Sequence, residues 1–107
     1  MVDAVSGEKP VILVGRKPTM NYVTAALLAL KDGRGLVLRA RGRAISRAVD
    51  VSQILLNRFA KDHEVKQVEI GTDELKREDG SVRPVSTISI VLDRKTAPAG
   101  RPRRSRS

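Results

Sequence analysis

The chain reads as an α/β protein, a two-layer α+β sandwich with the element order β-α-β-α-β-β. Three observations predict this. Two short apolar runs, at 11–14 and 36–40, each lead into a basic, glycine-containing turn and then into a segment of helical apolar spacing. Two further alternating segments flank Asp79-Gly80, a dipeptide suited to a tight hairpin turn. Finally, 107 residues, 40% of them apolar, suffice for one compact domain and not for two.

Each element has its own justification. Val11-Ile12-Leu13-Val14 has no polar alternation, which predicts a strand buried on both faces. Pro18 suits the first helical position, where its missing N–H costs nothing. Thr19 to Leu30 then places Val23, Ala26, Leu27 and Leu30 at helical spacing, and Gly33 is a C-terminal stop. Leu36, Leu38 and Ala40 alternate with Val37, Arg39 and Arg41, giving a second strand that ends in a turn at Gly42. From Arg43 to Phe59 a second helix carries Ala44, Ala48, Val51, Leu55 and Phe59 on one stripe, with Ile45, Val49 and Leu56 beside it. Two strands follow, with Lys66, Val68 and Ile70 sharing a face of one, and Ile88, Ile90 and Leu92 a face of the other. The domain is predicted over 10–95, after a flexible lead-in at 1–9. A disordered basic tail is predicted at 96–107, where prolines and arginines replace apolar periodicity.

The charge narrows the function. Twenty-one Lys and Arg against twelve Asp and Glu give +9. A basic stripe between Arg34 and Arg58, joined by the basic tail, is the footprint of a polyanion binder, although the same excess would also serve solubility. The chain has no cysteine, which excludes disulfides and thiolate metal sites and fits an intracellular protein. The N-terminal residues lack a signal-peptide pattern, and the longest apolar stretch, near Ala25 to Leu30, is far below the roughly 20 residues that span a bilayer. A soluble protein without membrane partners is expected.

Catalysis finds no support. A phosphate-cradling loop needs a second glycine and a free N–H where Pro18 stands, so the turn after the first strand is no mononucleotide pocket. His63, the one histidine, sits between Asp62 and Glu64 and is expected to be a solvated loop residue without a metal. No catalytic residue, cofactor or metal is predicted.

Binding is better supported. Parallel neighbouring strands end at the same sheet edge, so Arg16-Lys17 and Arg39-Ala40-Arg41-Gly42-Arg43 should converge there. Gly15 and Gly42 would let a ligand approach the backbone, and both following helices would point positive N-termini at it. Internal pairing of Arg41 or Arg43 with Asp50 or the hairpin acids is the competing reading. Lys76, Arg77 and Arg83 lie near the hairpin tip among acids, as either groove readers or solvated charges.

The runs VGRKPTMNYV, RARGRAISRAVDVSQILLNRF and RPVSTISIVL resemble the Alba family of small archaeal chromatin proteins, over roughly Val11 to Leu92. The resemblance implies the fold of the C-terminal domain of bacterial translation initiation factor three. It also implies a homodimer, or a heterodimer with a paralogue, that coats and compacts double-stranded DNA without sequence preference, in the cytoplasm on the chromosome. RNA, as in ribonuclease P-type complexes, is the alternative ligand. The implied binding set is Arg16, Lys17, Asn21, Tyr22, Arg39, Arg41, Gly42, Arg43, Arg47, Lys76, Arg77 and Arg83. Asn57, Arg58 and Phe59 would mediate contact between dimers, which makes Phe59 partly exposed although its place on the apolar stripe suggests core. Many members carry an acetylatable lysine at the first of the two basic positions. Here that residue is Arg16, so such control would fall to Lys17.

Overall fold

A computed structural model describes residues 9–95. The predicted lead-in (except Lys9) and the predicted tail at 96–107 lie outside the described residues. The elements are β1 (Val11–Leu13), α1 (Thr19–Leu30), β2 (Leu36–Arg41), α2 (Ala44–Ile54) continued by a wide turn (Leu55–Phe59), β3 (His63–Lys76) and β4 (Val82–Arg94). The order β-α-β-α-β-β is the one the apolar patterns predict.

The four strands form one sheet in the order β1-β2-β4-β3. β1 lies parallel to β2, with Val11 opposite Val37 and Leu13 opposite Arg39, while β4 runs antiparallel to both β2 and β3. The hairpin therefore turns back so that its second strand is central. The side chains explain this, because β4 presents Ile90 and Leu92 to the core whereas the residues of β3 opposite them, Val68 and Val65, lie beyond it. The more apolar strand takes the position with neighbours on both sides.

α1 and α2 pack side by side on one face of this sheet. Val23, Ala26 and Leu30 of α1 and Ala48, Val51 and Leu55 of α2 meet Leu36, Leu38, Ile90 and Leu92 beneath them. The other face of the sheet is left to solvent. This corrects the expectation that the first strand is buried on both faces: Leu13 is 71% exposed, and the next residue, Val14, is the one that is buried. β1 is an edge strand of three residues with helices on one side only, so its uninterrupted apolar run reflects composition and not double coverage.

The helical stripe also needs correction at its end. The amide of Ala60 donates to the Leu55 carbonyl at 2.7 Å, a bond spanning five residues instead of four. This wider turn makes Phe59 lag behind the α-helical phase and leaves it 48% exposed, while Leu55 is fully buried.

His63 differs too. It is the first residue of β3, donates its amide to the Ala60 carbonyl at 3.0 Å and is buried. The strand begins before its apolar pattern does, and this draws the imidazole under the end of α2. Its Nδ1 lies 2.8 Å from the Asp62 carboxylate, and this hydrogen bond holds the carboxyl below the usual aspartate range.

The core is aliphatic and tightly interlocked, so truncation at its centre should be costly. Leu38→Ala, at a fully buried position, is expected to destabilise the fold by about 2–5 kcal/mol, measured by urea denaturation followed by circular dichroism.

Candidate nucleic-acid interface

The parallel pairing of β1 and β2 fixes where the chain leaves each strand. Val14 donates its amide to the Arg39 carbonyl at 2.8 Å, extending the ladder to the sheet edge. Both chains then turn into helices at that edge. The second turn, Arg41-Gly42-Arg43, is pinned to β4 by the Gly42 amide, which donates to the Ser86 carbonyl at 2.8 Å. Gly42 has φ +62°, a left-handed conformation that glycine adopts without strain. Arg41 and Arg43 thereby stand on a fixed backbone.

The first turn is held differently. Tyr22, on the first part of α1, accepts the amide of Gly15 at 2.9 Å and that of Lys17 at 3.1 Å on its hydroxyl oxygen. These bonds, that from Lys17 foremost, hold the phenol below its usual pKa range. Arg47 of α2 donates through Nη1 to the Gly15 carbonyl at 3.0 Å. The amides of Gly15 and Gly42 are thus used inside the molecule. The expected close approach of a ligand to these two backbone N–H groups is not how the turns are built.

A groove of about 920 Å³ opens between the two turns and the outer part of the hairpin, lined by Arg16, Arg41, Arg43, Arg47 and Arg83 over a floor that includes Val14, Leu75 and Val85. Five guanidinium groups from four separate stretches of sequence meet here. Neither helix has an acid in its first turn, so nothing local offsets the positive ends of the helix dipoles at this edge. One acid does approach: Asp73 of β3 lies 3.9 Å from Arg41, both more than half exposed. At that length and exposure the pair contributes little. Among the described residues, the alternative in which internal pairs consume these cations is met only in this weak form.

The remaining predicted residues are distributed around the groove. Lys17, Asn21 and Tyr22 line a shallow depression on the other side of the first turn, together with Leu13. Arg39 lies on the uncovered sheet face and donates through Nε to the Ser89 hydroxyl at 3.3 Å. β3 and β4 remain paired beyond the end of β2, and the paired stretch from Thr72 to Lys76 carries the ribbon roughly 17 Å past the sheet at the usual strand rise. The mostly polar residues 72–76 are therefore strand. Lys76 closes β3 and Arg77 enters the turn, where its amide donates to Ser81 and Gly80 adopts φ +92°. Neither Lys76 nor Arg77 lines the groove. The groove thus gathers Arg16, Arg41, Arg43, Arg47 and Arg83, while Lys76 and Arg77 lie further out along the hairpin.

Asn57, Arg58 and Phe59 stand elsewhere. They lie on the wide turn after α2 and are exposed. Phe59 borders a depression with Leu27, Leu28 and Lys31 from the C-terminal end of α1, along with Asp62 and His63. The twelve residues of α1 separate this apolar end from the basic edge by about 18 Å. Among the described residues no group of three or more His, Cys, Asp or Glu side chains is gathered to hold a metal ion.

Exposure predicts how Phe59 differs from its neighbour on the stripe. Leu55→Ala should cost about 2–5 kcal/mol, whereas Phe59→Ala should cost less than half as much, compared by thermal denaturation of the two variants.

The Alba family model matches residues 10–72. A DNA/RNA-binding protein Alba from Methanocella arvoryzae is 46% identical over 91 residues, covering 84% of this chain and 95% of that protein. Among solved structures, Alba from Thermoplasma volcanium superimposes with a TM-score of 0.73 at 39% identity, over 78% of this chain and 99% of that one. ALBA1 from Trypanosoma brucei does so with a TM-score of 0.63 at 25% identity, over 81% and 72%. The family model matches more than half of the chain, and the relative and the solved fold agree with it: this chain belongs to the Alba family.

Proposed function

We propose that this protein binds double-stranded DNA without sequence preference and coats and compacts it as a homodimer on the chromosome. The observation that carries the reading is the arginine groove at the sheet edge, flanked by the exposed Lys17. Guanidinium forks suit bidentate contact with phosphate oxygens, and a row of them follows a backbone instead of reading a base. The aromatic inventory argues for a duplex over a single strand. Tyr22 and Phe59 are the chain's only aromatic residues. The first is half-buried with its hydroxyl engaged, and the second is at the far end, so no stacking platform for unpaired bases adjoins the groove.

A second apolar surface supports the homodimer. Arg47 marks the flank of α2 that faces β1, and Ile45, Val49 and Leu56 lie on the opposite flank by helical phase. That flank overlooks β3, whose Val65, Val68 and Ile70 share the helix-bearing side of the sheet by register. Val49, Val65, Val68 and Ile70 are 40%, 38%, 52% and 80% exposed, an apolar strip whose burial a second copy would provide. Contact between neighbouring dimers on DNA falls to Asn57, Arg58 and Phe59. Lys17, whose ammonium is exposed, is the position at which acetylation would remove a charge from the face.

The relative from Methanocella arvoryzae is named for DNA and RNA alike, and RNA in a ribonucleoprotein is the second reading. Competition between equal lengths of duplex DNA, duplex RNA and single strands at fixed salt separates the two. A preference for structured RNA of tenfold or more, about 1.4 kcal/mol, would reverse the order proposed here.

Two measurements test the main reading. Lys17→Glu should weaken binding by a similar factor on unrelated duplexes and lower the slope of log affinity against log salt by about one. Loss confined to certain sequences would count against backbone recognition. Ile70→Asp should shift the sedimentation of the protein from dimer to monomer while its circular dichroism stays that of the folded chain. An unchanged dimer would place the interface elsewhere.

A further inference from the structure

The turn that carries Arg16 and Lys17 is held from two helices at once. Gly15 has both polar atoms of its backbone engaged by side chains: its N–H donates to the Tyr22 hydroxyl at 2.9 Å, and its carbonyl accepts Arg47 Nη1 at 3.0 Å. Two residues on, the Lys17 amide donates to the same hydroxyl at 3.1 Å. Tyr22 itself is packed against the core cluster, so the acceptor is rigidly mounted. Two donated bonds use both lone pairs of the phenol oxygen. The result is visible in the side chains: Arg16 lines the arginine groove, whereas Lys17 lies on the opposite side of the turn with Leu13 and Asn21.

We propose that Tyr22 is a positioning residue: its hydroxyl, together with Arg47, sets the Arg16-Lys17 turn in the free protein so that the two cations are splayed before any nucleic acid arrives. Tyr22 then acts through the turn and not by touching the ligand. The physical gain is preorganisation. A strand-to-helix turn left free would have to be ordered on binding, at the expense of affinity, whereas a turn already held loses little. Arg47 serves in two ways, since one guanidinium nitrogen holds Gly15 while the side chain also lines the groove. The neutral hydroxyl of Tyr22 is the cleaner probe. The inference rests on the nucleic-acid reading for its consequence, but the hold on the turn is a property of the free chain.

The test is Tyr22→Phe in the full chain, which keeps the packed ring and removes the acceptor. Amide hydrogen exchange at Gly15 and Lys17, followed by NMR without nucleic acid, should accelerate about tenfold or more once the bonds are gone. Exchange at Leu38 and Val51 should not change. Duplex affinity should fall about tenfold on unrelated sequences with an unchanged salt slope, because no phosphate contact is removed. Loss of affinity while both amides stay protected would overturn the proposal and make the hydroxyl a direct contact. Faster exchange with unaltered affinity would show that the turn needs no presetting. Loss of protection at Leu38 and Val51 would reduce Tyr22 to a structural residue. Failure of the unmodified chain to bind duplex would overturn the nucleic-acid reading and this role with it, and the wild-type control shows that outcome by itself.

Discussion

The parallel ladder between β1 and β2 is the constraint from which the rest of the arrangement follows. Parallel strands joined in sequence require a crossover, here the helix α1. α1 is therefore placed on one face, with its N-terminus at the edge where both strands end. The same edge then receives the start of α2, because β2 leaves the sheet there. Four of the five arginines of the groove, all but Arg83, descend from that geometry. Arg16 and Arg43 are far apart along the chain, and their strands being parallel neighbours is what brings them to one groove.

The opposite consequence is equally physical. Helices that begin at one edge end at the other, so the C-terminal half of α1 and the wide turn after α2 gather at the far end with Leu28, Phe59 and the buried His63. The two ends differ, with a cluster of five arginines at one and a depression bearing Phe59, Leu27 and Leu28 at the other. A protein proposed to coat a long polyanion needs both ends, one to hold the ligand and one to meet a neighbour. The folding pattern supplies them without a second domain.

Placing β4 between β2 and β3 has a cost and a use. It leaves β3 at the edge, with apolar side chains that the two helices are too narrow to cover. In an isolated chain such a strip would be a liability. In the proposed dimer it is the interface. The same edge position frees the far half of the hairpin to project beyond the sheet, which is why Lys76 and Arg77 extend the basic face outward instead of joining its centre.

The amino-acid sequence alone determined the element order, the two basic turns and most of the buried stripe. Those features depend on local periodicity and on glycine and proline, which act within a few residues. Its family resemblance carried the reading further, to the exposed Phe59. What it did not determine was coverage and contact. An apolar run looks the same whether one face or two are covered, so Leu13 was placed inside when its neighbours left it bare. The helical period gave no warning of the wide turn that rotates Phe59, nor the position of His63 any sign of its burial. Tyr22 and Arg47 were assigned to the face by likeness, and only the folded chain brought them to Gly15 from two helices, because hydrogen-bond partners at those separations are chosen by packing and not by spacing.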